Sequence, residues 1–179
     1  MKNFQALGLS KGLADAVQLI GFETPTPIQE KAIPMLLTGN RDFIGLAQTG
    51  TGKTAAFGLP LLELVDENSS ATQALVLAPT RELGLQIVSD LEDFSEKFKK
   101  LNIVAVYGGA SISEQIRKVK RGAQIVVATP GRLIDLLGRK AVNLGTVEYV
   151  VLDEADEMLN MGFQEDIDEI LSKTPETKT

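Results

Sequence analysis

The sequence predicts an α/β fold: an open, mostly parallel, doubly wound sheet. Two observations carry that expectation. Short apolar runs rich in Val, Ile and Leu recur along the chain, without the polar alternation of a half-exposed strand, as parallel strands covered on both faces require. Segments of helical periodicity lie between them, and strand–helix alternation over this length builds a parallel sheet. At 179 residues and 44% apolar, the chain is long enough to bury one sizeable core.

Taken in order, two helices precede the first strand. Ser10 is placed to cap a helix over KGLADAVQLI that stops at Gly21, and Thr26 to cap the next, with Pro27 at its first position. FIGLA (43–47) is the first expected strand, followed by a helix over 52–66. QALVLAP (73–79), NIVAVYG (102–108), AQIVVATP (123–130) and VEYVVLD (147–153) are the remaining strands. Helices are expected between them at 81–99, 111–120 and 131–138, with one more from 154 onward. There is no internal repeat or low-complexity tract. The closing SKTPETKT reads as a polar loop, and the chain stops where another strand is expected, consistent with a fragment of a longer protein.

Composition removes several chemistries. There is no cysteine, hence no disulfide framework or thiolate metal site, and no histidine, hence no Ser-His-Asp triad, imidazole zinc site or histidine base. Catalysis must come from carboxylates, Lys, Arg, hydroxyls, backbone groups or a bound ion. The N-terminus lacks a signal-peptide pattern, and no run of about 18 apolar residues occurs, so a cytoplasmic protein with no membrane partner is expected. The net charge of −6 is uneven: residues 148–179 hold ten acids and two bases, the rest fourteen acids and sixteen bases. The acidity belongs to the tail, and charge alone neither supports nor excludes a polyanion partner.

AQTGTGKT (47–54) follows the first expected strand and opens a helix. Gly50 and Gly52 allow a tight turn that points successive N–H groups at an anion. Lys53 adds a full charge for β- and γ-phosphates, Thr54 offers a hydroxyl to Mg2+, and the helix N-terminus adds its dipole. Ala47 stands where the strict phosphate-loop pattern has Gly. A second element matches it: VEYVVLD ends an apolar run in Asp153, followed by Glu154, Asp156 and Glu157. A helix N-terminus enriched in acids explains the last three. It does not explain an acid closing an apolar strand, whereas a magnesium-holding Asp153 and a water-orienting Glu154 do.

Asp153-Glu154-Ala155-Asp156 spells DEAD, and with AQTGTGKT the chain resembles the DEAD-box family of ATP-dependent RNA helicases. GFETPTPIQ (21–29) is similar to the family's adenine-recognising Q motif, with Phe4 seventeen residues before Gly21 at the place of its isolated aromatic. PTREL (79–83), the Gly108-Gly109 pair, TPGR (129–132) and MLNMGF follow in the family's order. The resemblance covers essentially the whole chain. It implies a single N-terminal RecA-like P-loop NTPase domain over 1–179, with the Q-motif region (1–40) packed onto it. It implies ATP contacts from Phe4, Phe22, Gln29, Gln48, Thr49, Gly50, Thr51, Gly52, Lys53 and Thr54. It implies catalysis by Lys53, Asp153 and Glu154, Mg2+ on Thr54 and Asp153, and interdomain coupling through Asp156. Pro79, Thr80, Arg81, Gly108, Gly109, Thr129, Pro130, Gly131 and Arg132 would contact the RNA backbone, single-stranded or duplex, without regard to sequence.

The residues have readings of their own. The Gln29 amide can pair with adenine N6 and N7, and Phe22 can stack on a base. From the residues alone, a solvated Gln29 and a core-filling Phe22 are the stronger alternatives; the resemblance reverses this and implies ATP over GTP. Arg81 reads equally as a phosphate contact or as an ion-pair partner of Glu82 or a neighbouring strand end. Arg117, Lys118, Lys120 and Arg121 read as a solvated helix face. Gly84 replaces the family's usual Ala, and Asn160 a more usual Asp. No SAT motif and no second RecA-like domain follow the DEAD box. In the family that domain closes over ATP and RNA and supplies arginines, so the fragment is expected to bind nucleotide, hydrolyse little and unwind nothing. A nucleotide-gated RNA clamp or assembly scaffold, its ATPase incidental, is the alternative function. A small-molecule kinase leaves GFETPTPIQ and TPGR unexplained.

Overall fold

The computed structural model describes residues 3–39, 42–48 and 50–177. They form two compact units: one runs to Val65 and includes Ser89–Lys99, and the other holds Asp66–Val88 and Lys100 onward.

The first unit is helical. A 3-10 turn, Gln5–Leu7, leads to α1 (Lys11–Leu19), α2 (Pro27–Leu37) and α3 (Lys53–Leu64). Ser10 caps α1 as its sequence suggests, its hydroxyl accepting the Leu13 N–H, and Gly21 beyond the helix adopts φ +95°. Thr26 holds the N-cap position of α2 with Pro27 next, but its hydroxyl makes no hydrogen bond. The cap works through the other partner, because Gln29 Oε1 accepts the Thr26 N–H at 3.0 Å. Leu13, Val17, Ile33, Leu59 and Leu62 are fully buried apolar side chains of the three helices.

The second unit carries every strand among the described residues: β1 (Ala74–Leu77), β2 (Ile103–Val106), β3 (Ile125–Ala128) and β4 (Tyr149–Leu152). All pairings are parallel, in the order β2-β3-β1-β4. α4 (Arg81–Phe94), α5 (Ile112–Lys120) and α6 (Pro130–Gly138) make the crossovers, and α7 (Ala155–Asn160) and α8 (Gln164–Ser172) follow β4. The chain steps outward from β1 to β2 and then back through β3 to β4. Right-handed crossovers therefore put α4 on one face and α5 and α6 on the other, which is the doubly wound arrangement. Leu75, Leu77, Val126, Leu133, Leu136 and Ile170 lie in the core beneath them.

Two expectations are corrected. FIGLA (43–47) is not a strand: it is irregular, with Ile44 and Leu46 90% and 94% exposed. An apolar run becomes a strand only where a neighbour supplies ladder partners, and the described part of its own unit is helical. The helix expected from 154 onward is two helices, because Gly162 turns left-handed (φ +85°) between α7 and α8. The four observed strands fall inside their expected ranges and are four residues long each.

Candidate nucleotide and polyanion sites

In the first unit the candidate phosphate loop meets α3 at Gly52, the helix N-cap, with φ +85°; Gly50 is also left-handed at +81°. Left-handed glycines of this kind allow a loop to turn its N–H groups toward an anion, and the first N–H groups of a helix such as α3 have no helical acceptor. Lys53 and Thr54 are the first two residues of that helix, both half-buried. The Thr51 hydroxyl donates to the Gln48 carbonyl at 2.6 Å and closes the turn. Thr49 lies outside the described residues.

Gln29 is fully buried, so it is not a solvated helix residue. Its amide joins two motifs: Oε1 takes the Thr26 N–H, and Nε2 donates to the Gly52 carbonyl at 3.1 Å. A Cβ at Gly52 would collide with that amide nitrogen. Phe22 is half-buried and meets both Phe4 and Phe94 edge-on, with ring centroids 6.3 and 5.6 Å apart. Phe4 itself is 3% exposed. The two aromatics thus form one cluster.

In the second unit the remaining site residues gather at the C-terminal ends of the parallel strands, where open α/β sheets bind ligands. Beyond β1, the Thr80 hydroxyl accepts the Leu83 N–H at 3.2 Å and caps α4, after buried Pro79. Arg81 does not depend on Glu82, since its guanidinium lies 4.9 Å from the centre of the Tyr107 ring, a cation–π contact. Gly108 and Gly109 are exposed beyond β2, Gly109 with φ +79°. Thr129 is the N-cap of α6 without a side-chain cap bond, Pro130 is its first residue, and Gly131 is exposed. Arg132 donates through Nη1 to the Ala110 carbonyl at 3.1 Å and to Gln115 Oε1 at 3.0 Å.

Asp153 is buried just past β4, its N–H bonded to the Leu77 carbonyl at 2.9 Å. Its Oδ1 accepts the Glu154 N–H at 3.1 Å. Glu154 sits at φ +51°, ψ +50°, a left-handed conformation rare for a residue with a side chain. Asp156 is exposed on α7. Among the described residues there is no group of three or more His, Cys, Asp or Glu placed to hold a metal. Each taken within its own unit, the Thr54 hydroxyl and the Asp153 carboxylate are hard oxygen donors of the kind Mg2+ accepts. Arg117, Lys118, Lys120 and Arg121 are exposed, as a solvated face would be.

Gln115 and Tyr107 contact these candidate residues and are not evident as such in the sequence. The available signal is a polar residue in the apolar row of α5: Gln115 is buried beside Ile112, Ile116 and Val119. No described helix is long and apolar enough to cross a membrane.

Comparison with known proteins agrees with this arrangement. The family model "DEAD/DEAH box helicase" matches residues 26–179. The DEAD-box ATP-dependent RNA helicase CshA of Bacillus cereus is 54% identical over 177 residues, 99% of this chain and 33% of that protein. The RNA helicase CrhR of Synechocystis sp. is 55% identical over 175 residues, 98% of this chain and 35% of that protein. The crystal structure of a DEAD box protein from Methanococcus jannaschii superposes with a TM-score of 0.92 at 46% identity, covering 98% of this chain and 48% of that one. The chain spans about a third of the length of the curated relatives it matches.

Proposed function

The chain belongs to the DEAD/DEAH box helicase family, and on that premise we propose that residues 1–179 are the N-terminal, ATP-binding RecA-like domain of a cytoplasmic RNA helicase. The longer protein couples ATP binding and hydrolysis to local opening of RNA duplexes. The observation that carries this reading is the Gln29 amide bonded to Gly52, which ties an adenine-reading motif to the phosphate loop. Gln29 reads adenine by turning its amide away from Thr26 and Gly52, and the Phe4–Phe22 cluster flanks the base. The loop from Gln48 through Thr54, with Thr49, holds the phosphates through N–H groups and the Lys53 ammonium. Thr54 and Asp153 hold Mg2+, which neutralises developing phosphate charge when bound. Glu154 orients the attacking water and accepts its proton, and Asp156 links nucleotide state to a second RecA-like domain.

RNA lies along Pro79–Arg81, Gly108–Gly109 and Thr129–Arg132, gripped through its phosphates, single-stranded or duplex, without base readout. A second domain that supplies an arginine finger contributes on the order of 10³–10⁵ in rate. Residues 1–179 alone therefore bind nucleotide, hydrolyse it slowly and do not unwind.

Calorimetric titration with ADP and GDP in the presence of Mg2+ tests this, on wild type, Lys53→Ala and Gln29→Ala. The expected result is binding of ADP over GDP, lost in Lys53→Ala and with reduced base preference in Gln29→Ala. Equal affinity for ADP and GDP overturns the role of Gln29. A folded protein that binds neither overturns the pocket.

A further inference from the structure

We propose that Gln115 is a positioning residue for the polyanion site: its one side-chain amide fixes the Gly108-Gly109 turn to the start of α6. The inference rests on the RNA reading above. Gln115 is 5% exposed. Its Nε2 donates to the Tyr107 carbonyl at 3.0 Å, and its Oε1 accepts the Tyr107 N–H at 3.2 Å. The same Oε1 accepts Arg132 Nη1, which also donates to the Ala110 carbonyl. A buried amide is costly unless hydrogen-bonded, and a leucine would fill this row of α5 without that requirement. The amide here is bonded through both of its polar atoms.

These bonds hold the two ends of a short loop. Tyr107 is held by Gln115 and Ala110 by Arg132, while the exposed glycines lie between. A glycine pair on its own samples a wide range of backbone angles, so a phosphate contact made there would first have to order the loop. The Tyr107 ring also supports Arg81 at the start of α4. One amide thereby sets the relative placement of three segments, following β1, β2 and β3, that grip the backbone.

The test measures binding of a 15-nucleotide oligouridine by fluorescence anisotropy over a range of salt, on the 179-residue chain and its variants. Gln115→Met keeps the volume and removes the amide; Gln115→Asn keeps an amide too short to span the same partners; Gln115→Glu keeps the two acceptor bonds but turns a carboxylate oxygen toward the Tyr107 carbonyl. ADP titration runs alongside as a control on the first unit. Met and Asn are expected to weaken RNA binding about tenfold and to flatten the slope of log K against log salt by about 0.7 for each phosphate no longer neutralised. Glu is expected to weaken RNA binding at least as much as Met, because the donor bond to the Tyr107 carbonyl becomes an oxygen–oxygen repulsion and the added charge opposes phosphate. Should the Met variant fail to fold, the Asn and Glu variants carry the comparison. Folded variants that bind like wild type overturn the role of Gln115 while the RNA reading stands. Affinity reduced for RNA and ADP together, with an unchanged salt slope, reveals general destabilisation and also overturns it. A wild type that binds ADP but not RNA overturns the RNA reading and this role with it.

Discussion

β1 and the segment 42–48 are written in the same alphabet and end in opposite environments. ALVL in β1 is fully buried, between β3 and β4. FIGLA exposes Ile44 and Leu46 almost completely and joins no ladder. β4 stands between these cases: Tyr149, Val150 and Val151 are half-buried and Leu152 is exposed, with β1 its ladder partner among the described strands. What separates the three is the number of flanking strands and covering helices, since hydropathy hardly differs. Burial is a property of the neighbourhood, and the apolar run is only its precondition.

The heaviest loss of stability is expected within β1. Leu75→Ala removes a fully buried side chain from β1 and is expected to cost about 2–5 kcal/mol in urea unfolding; a loss under about 1 kcal/mol would mean that β1 is not the core strand described. Gly52→Ala comes next. It forces a Cβ into a left-handed turn and against Gln29, with about 1–2 kcal/mol of backbone strain and a loss of ADP affinity. An alanine variant that binds ADP normally would refute the tight coupling of Gln29 to the loop.

Tyr149 tests the intermediate case. Burial, and then the neighbouring Glu148 carboxylate, raise its hydroxyl above the ordinary value of 10.0. The folded state thus holds a proton that the unfolded state releases, so stability is full below about pH 10 and falls as pH climbs past it. Tyr149→Phe should flatten that alkaline decline in urea midpoints, and an unaltered decline would assign it elsewhere. The smallest effect belongs to the segment 42–48: Leu46→Ala, at a side chain already in water, should leave stability within about 0.5 kcal/mol. A larger loss would show that this segment is packed in solution.

The same logic explains how much was legible beforehand. Strand–helix alternation was readable because both faces of β1 and β3 are covered, which leaves unbroken apolar runs. The Ser10 cap and the left-handed Gly21 are local chemistry and were equally readable. FIGLA misled because pairing depends on distant residues. Glycine at 162 splits the last helix, a cue that apolar periodicity alone passes over. The motif residues were legible as types and spacings, yet their partners were not. Nothing in the sequence says that Arg132 bonds Ala110 and Gln115, that Arg81 stacks on Tyr107, or that Gln29 reaches Gly52. Such bonds join residues far apart in the chain, and no periodicity encodes them.

Glu154 carries a consequence for anyone who would improve this protein. Its left-handed backbone is a conformation that glycine adopts without penalty and glutamate does not. Glu154→Gly is therefore expected to raise the melting temperature while removing the carboxylate proposed to orient the attacking water. A library sorted by heat resistance would enrich that substitution, and the same library carried in the longer protein and sorted by turnover would purge it. Running both selections on one pool would show whether robustness and chemistry compete at this single position.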